Sequence, residues 1–271
     1  MLNKVVRRTL ALTALTLLAA SPGLPAAAAD AATSAVYVVH GIPATPVDVY
    51  VNGKATLRDF QPGTVAGPLD LPAGSYDIDL TKPGDPVTSA IVSVQDAAVP
   101  GGANLSVVAH LDDAGAPKIT AFVNDVSAVP AGKARLIVRH TAAAPAVDIR
   151  AGGTAVISGL ANPDEAEIEV DAGTISADVV LAGTSTVAIP ATDLTLAEGS
   201  VTVVYAIGSA EAKSLALVTQ VIEGAYSAPS GVEAGEAPLP APSAAGGWAV
   251  VAAAGLLLLI VGGRKLTRLN K

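Results

Sequence analysis

The chain of 271 residues contains no cysteine. That excludes disulfide staples, thiolate metal sites and cysteine nucleophiles, so the stability of any folded region has to come from packing. Aromatics are scarce, at five Tyr, two Phe and one Trp, whereas ligand-stacking surfaces are normally marked by exposed rings. There are only three His. No histidine pair of zinc spacing, no G-x-S-x-G turn and no phosphate-binding glycine loop occurs, and no cofactor or metal is expected. Positive charge is also short. Seven of the 16 Lys plus Arg sit in the two ends, leaving nine against all 24 Asp plus Glu over residues 30–246, a formal charge of −15. Such a surface repels nucleic acid and anionic lipid, so no nucleic-acid partner is expected.

What is present is most legible at the ends. Lys4, Arg7 and Arg8 precede the apolar run 9–20, then Ser21-Pro22-Gly23, then small residues closing on Ala27-Ala28-Ala29. That order is a secretory signal peptide over residues 1–29. Residues 244–263 are uncharged and rich in Ala, Leu and Val, and as a helix they would reach roughly 30 Å, enough to cross a bilayer. Arg264, Lys265, Arg268 and Lys271 follow, forming a basic tail (264–271) that favours the cytoplasmic side, and Trp248 suits the opposite interface. A single-pass membrane protein with its N-terminal region outside the cell is the expectation. Leu239-Pro-Ala-Pro-Ser243 stands where a wall-sorting Leu-Pro-x-Thr-Gly motif would lie, but Pro242 replaces its Thr. Retention in the membrane is therefore the expected state, and transfer to the cell wall the alternative.

Between the ends the chain repeats itself. His40 to Gly53, with Asp48 within it, aligns without gaps to His140 to Gly153, with Asp148 within it. Ala73-Gly74-Ser75 aligns with Ala172-Gly173-Thr174, Leu105-Ser-Val-Val108 with Val201-Thr-Val-Val204, and Lys118 with Lys213. A repeat length of about 100 residues is too long for a solenoid and indicates two tandem domains. The expected division is 30–129 and 130–224, followed by a Pro/Ala/Gly-rich stalk at 225–243.

Local signals within a copy are strands and turns. Segments 35–40, 47–52, 75–80, 88–94, 105–110 and 118–123 are β-branched or alternating and are punctuated by Gly, Pro, Asp and Asn. Asn52-Gly53 has the sequence of a type I′ hairpin turn, and Gly152-Gly153 can adopt the same angles. About seven short strands per hundred residues predict an all-β chain of two tandem, Ig-like β-sandwiches plus the one C-terminal helix. A single barrel of about twelve to sixteen strands is the alternative.

Val36-Tyr-Val-Val-His40, with Pro46-Val-Asp48-Val-Tyr-Val-Asn-Gly53 and Leu71-Pro-Ala-Gly74-Ser-Tyr76, resembles the recurring segments of the bacterial and archaeal domain-of-unknown-function family 4397. The resemblance is strong in the first copy and weaker in the second, where Arg150 replaces Tyr50. It implies a secreted or envelope protein built from β-rich modules. It implies no activity.

The chemically suggestive residues are His40 with Asp48 and His140 with Asp148, since a histidine oriented by a carboxylate is the heart of many hydrolytic sites. Strand parity argues for a structural role. Arg135 and Arg139 are expected to face solvent, which turns Leu136, Val138 and His140 toward the core and Asp148 outward. The imidazoles would then satisfy backbone groups of the turn, and the carboxylates would cap a turn or edge. His110 before Asp112-Asp113 reads as a solvated turn, with Ala206 in its place in the second copy. The acidic run Asp164, Glu165, Glu167, Glu169, Asp171 reads as a solvated strand face. The sequon Asn104-Leu-Ser106 lies within an expected strand and receives no role. Tyr37, Tyr50 and Tyr76, all in the first copy, are the residues that could face a ligand.

Together these features favour a non-enzymatic surface module, structural or adhesive, with a cell-wall or surface partner. An extracellular glycan or small-ligand binding protein is the second reading, and an envelope hydrolase using His40 and Asp48 the third.

Overall fold

The structure is a computed structural model that describes residues 32–225. The expected signal peptide, the residues of the expected stalk from 226, the apolar 244–263 segment and the basic tail lie outside the described residues. Among the described residues no helix is long and apolar enough to cross a membrane.

The described chain is all-β and sandwich-like. The first eight strands are β1 (Thr33–His40), β2 (Val47–Val51), β3 (Lys54–Phe60), β4 (Val65–Pro72), β5 (Gly74–Thr81), β6 (Val92–Val99), β7 (Asn104–Leu111) and β8 (Pro117–Val123). They form two sheets, β4-β1-β7-β8 and β3-β2-β5-β6. The next eight are β9 (Lys133–His140), β10 (Val147–Ala151), β11 (Thr154–Leu160), β12 (Glu165–Asp171), β13 (Gly173–Leu181), β14 (Val187–Leu196), β15 (Val201–Ile207) and β16 (Ala216–Ile222). Their sheets, β12-β9-β15-β16 and β11-β10-β13-β14, repeat the same order. Val47, Val49 and Leu80 meet Ala109 and Leu111 inside the first sandwich, and Val147, Ile149 and Val179 meet Leu136, Val138 and Val204 inside the second.

Three sequence expectations need correction. Each copy has eight strands: exposed polar residues and Gly67-Pro68 hide the alternation of β3 and β4 in the sequence, and residues 87–89 form a 3₁₀ turn, so β6 starts later than expected. The strand order is not that of an immunoglobulin sandwich, where the first strand lies at the outside of the ABED sheet. Here β1 is internal, antiparallel to β4 and parallel to β7.

The register of the repeat is also one residue different from the sequence alignment. His40 lies opposite Ala109 and His140 opposite Ala206, so Ala109 and Ala206 are the equivalent pair. Leu105 then corresponds to Thr202, and His110 to Ile207. A slip of one residue exchanges the two faces of a strand, and the corrected register puts Val107 and Val204 in their own sandwich cores. Lys118, opposite His110 in β8, likewise has its counterpart at Ala216 and not at Lys213, which lies in the loop before β16.

The other face of β7, β9 and β15 is not solvated. Val39, Val108 and Phe122 of the first sandwich pack with Ile137, Val203, Tyr205 and Ile207 of the second in a core of their own. Residues on both sides of β7, β9 and β15 are consequently buried. Strands buried on both faces read as continuous apolar runs, as in Leu136-Ile-Val138 and Val203-Val-Tyr205.

Candidate functional site

The three histidines have partners in the protein interior. His40 and His140 end β1 and β9, where strand alternation turns them toward their own sandwich cores, and each addresses the turn that follows. His40 Nε2 lies 2.8 Å from the carbonyl of Thr45, and His140 Nε2 lies 3.0 Å from that of Pro145. A carbonyl only accepts, so both rings carry their proton on Nε2. His140 Nδ1 accepts the Ala142 N–H, and the His40 ring stacks on Phe60 with centroids 5.6 Å apart. His110 has the other tautomer: Nδ1 donates to the Leu111 carbonyl and Nε2 accepts from the Thr120 hydroxyl. Burial is the main force holding all three imidazoles below their ordinary pKa, and the backbone contacts only partly offset it.

Neither Asp48 nor Asp148 touches its histidine. Asp48 accepts the N–H groups of Asp59 and Gly84 and an Arg58 guanidinium at 3.1 Å, which ties β2 to the bulged β3 and to the β5–β6 connection. Asp148 does the same in the second sandwich with the N–H groups of Gly159 and Gly183, without an arginine. Those amide bonds hold both carboxyls below the usual carboxylate range, the Gly84 and Gly183 bonds contributing most. No nucleophile, carboxylate and imidazole converge at these positions.

Nor does the structure bring the three tyrosines together. Tyr37 packs at the edge of the core between the sandwiches, Tyr50 lies on β2 and donates to the Asp85 carbonyl, and Tyr76 packs in the first sandwich and donates to the Pro72 carbonyl. They form no shared stacking surface.

Polar side chains instead gather where the sandwiches meet. Arg139, fully buried, donates from Nη1 to the Tyr205 hydroxyl at 2.9 Å and from Nε to Glu165 at 2.8 Å. Tyr205 donates to Gln220 Oε1 at 2.6 Å, and the same oxygen accepts the Ser106 hydroxyl from the first sandwich at 3.0 Å. Asn124 extends the chain from Ser106 to Asn104, giving the sequon residues a structural task. At the far end of the face Asn162 donates to the carbonyls of Leu111 and Ala142, bridging the two sandwiches.

Two expectations fail here for one reason. Arg135 and Arg139 do not face solvent, with exposures of 5% and 0%. They alternate with Leu136 and Val138 as expected, but the face they occupy is covered by the first sandwich. The acidic strand β12 is not simply solvated. Glu165 and Glu169 lie opposite Arg139 and Arg135 in register, and Arg135 also approaches Glu167 and Asp125. A buried guanidinium needs such partners. Charged residues on a strand rich in Leu, Ile and Val, beside an acidic strand of the same copy, were the signal for this face.

Residues 34–150 match DUF4397, a domain of unknown function. Over that stretch the chain is similar to this family. The DUF4397 segment runs through all eight strands of the first sandwich, through β9 and into β10, so it opens on the His40–Asp48 motif and closes on His140–Asp148. It therefore includes Ile137 and Arg139, which cover the outer face of the first sandwich. No match is found among the curated proteins.

Proposed function

We propose that this protein is an exported, non-enzymatic envelope protein that presents two tandem β-sandwiches outside the cell as one rigid body, with a structural or adhesive role. In this reading residues 1–29 direct export, 225–243 form a stalk and 244–263 anchor the chain in the membrane. The core shared by the sandwiches carries the proposal. Two modules joined only by a linker reorient freely, whereas an apolar contact crossed by buried hydrogen bonds fixes their relative direction, as a spacer or adhesive surface requires. The internal use of His40, Asp48, His140 and Asp148 supports a role without catalysis.

The test uses full-length protein in intact cells. Protease added outside should release a fragment spanning both sandwiches, and that fragment should resist cleavage near residues 124–132. Protection of the sandwiches until the cells are broken would overturn the envelope assignment. A catalytic turnover abolished by His40→Ala with the fold intact would overturn the non-enzymatic reading. A small-ligand role is favoured by one observation, a cleft at one end of the second sandwich.

A further inference from the structure

Two small apolar voids, of about 40 and 30 Å³, lie in the sandwich interiors, each with room for no more than a few water molecules. The end of the second sandwich is different. A cleft of about 340 Å³ lies between the β13–β14 turn and the loop before β16, lined by Leu181, Thr186, Val187, Ala188, Lys213 and Leu215. Its size falls at the lower end of the range for small-molecule sites.

The loop sequence explains its form. Between the paired residues Leu80 and Val92 the first sandwich carries a long connection with the 3₁₀ turn Val87–Ser89. The second sandwich joins the equivalent strands through the shorter turn 182–186. Opposite it, Ser209 and Ser214 lace the other wall: Ser209 N–H donates to Ser214 Oγ, Ala212 N–H to Ser209 Oγ and Ser214 N–H to the Ser209 carbonyl. Glycine is required at 208, where φ is +91° and a Cβ would fall 2.1 Å from the Ser214 carbonyl oxygen.

This lacing holds Lys213 at φ +54°, a conformation a lysine adopts only when its surroundings impose it. Like Lys54, Lys82 and Lys118, Lys213 forms no ion pair among the described residues, and of these four it is the one that lines the cleft. Val187 leaves half its surface open beside it. An ammonium at the rim of an apolar cleft, on an otherwise strongly acidic region, complements a molecule with one anionic group and a short apolar body.

We propose that this cleft binds a small apolar carboxylate, with Lys213 pairing with the carboxylate and Val187 and Leu215 contacting its acyl chain. This ligand site is independent of the shared core that supports the display role, so either proposal can fail alone.

The test is an NMR titration of full-length protein carrying labelled Val and Leu methyl groups, with hexanoate as the probe and hexanamide as its uncharged counterpart. Saturable shifts at Val187 and Leu215 are expected with hexanoate. Binding should weaken at least tenfold for hexanamide and for Lys213→Asn, which tolerates the left-handed backbone, and should be kept by Lys213→Arg. Absence of saturable shifts would overturn the proposal. So would equal affinity for hexanamide and hexanoate in the unsubstituted protein, a comparison that does not depend on any variant folding.

Discussion

The guanidinium of Arg139, on the second sandwich, lies 4.4 Å from the centre of the Phe122 ring on the first. Phe122 is one of two phenylalanines in the chain, and it sits on β8 with its ring turned away from its own sandwich core. Arg139 is also held by Tyr205, 5.5 Å from ring centre to guanidinium, and by Glu165. A desolvated cation placed over an aromatic face is attracted by the ring's quadrupole. The contact is tolerable only because Glu165 balances the charge, which joins the acidic strand β12 to the packing of the two sandwiches.

Replacing Phe122 with Ala should therefore destabilise both sandwiches. Loss of a buried Phe costs about 3 kcal/mol or more, and here it would also leave Arg139 beside a cavity. In urea titrations followed by probes in each sandwich, the unsubstituted protein should show coincident transitions. Phe122→Ala should lower the midpoint and separate the two curves. Unchanged midpoints would mean that the shared core adds nothing to stability.

Ser106 and Gln220 offer a test of the polar contact across that core. Ser106 donates to Gln220 Oε1, which also accepts from Tyr205, and both Ser106 and Gln220 are buried. A double-mutant cycle with Ser106→Ala and Gln220→Met should give a coupling of about 1 kcal/mol. Additive effects would show that the two side chains do not work together.

The sequence carried more of the secondary structure than of the packing. Alternation in Val47-Asp-Val49 and the turn residues Asn52-Gly53 revealed the β2–β3 hairpin, and both turn residues have the positive φ expected of them. Alternation also oriented His140 and Asp148 correctly. It could not say what covered the opposite face, because exposure is a property of the whole assembly of sheets. Residue type alone sends Arg135 and Arg139 to solvent, although the continuous apolar run between them is compatible with a strand buried on both sides. The register of β15 is ambiguous in the sequence for a related reason: in a strand apolar on both faces, Val201 to Val204 fits Leu105 to Val108 in either parity. The cleft beside Lys213 depends on loop lengths and backbone angles, for which the sequence offered only Gly208.

Asp48 and Asp148 should differ in how much they matter. Asp48 is buried and binds two N–H groups and Arg58, while Asp148 is half-exposed and binds two N–H groups only. Asp48→Asn should cost about 1–3 kcal/mol, because one amide N–H then confronts donors that the carboxylate had satisfied. Asp148→Asn should cost less. Both carboxyls are depressed in the folded state, so their contribution is present above their ordinary value of 3.8 and is lost as pH falls through the lower folded value. Thermal unfolding at pH 7 should rank the variants in that order, and an equal loss for both would contradict the assigned role of burial and Arg58.

Acid should weaken the fold well before those carboxyls titrate. His40, His110 and His140 are all held below 6.5 by burial. For a histidine depressed in the folded state, stability is fully present above the unfolded value and is lost as pH falls from about 6.5 through the folded value, because the unfolded chain takes up the proton first. Glu167 acts in the opposite sense, since burial raises it above its ordinary 4.5. It is one group against three. The urea midpoint should therefore fall between pH 7.5 and pH 5.5. His110 lies two residues from Val108 on β7, on the face that packs in the shared core, so His110→Gln should flatten this dependence while lowering stability at pH 7.5. A midpoint that stays level or rises on acidification would show that the buried imidazoles do not control stability in this range.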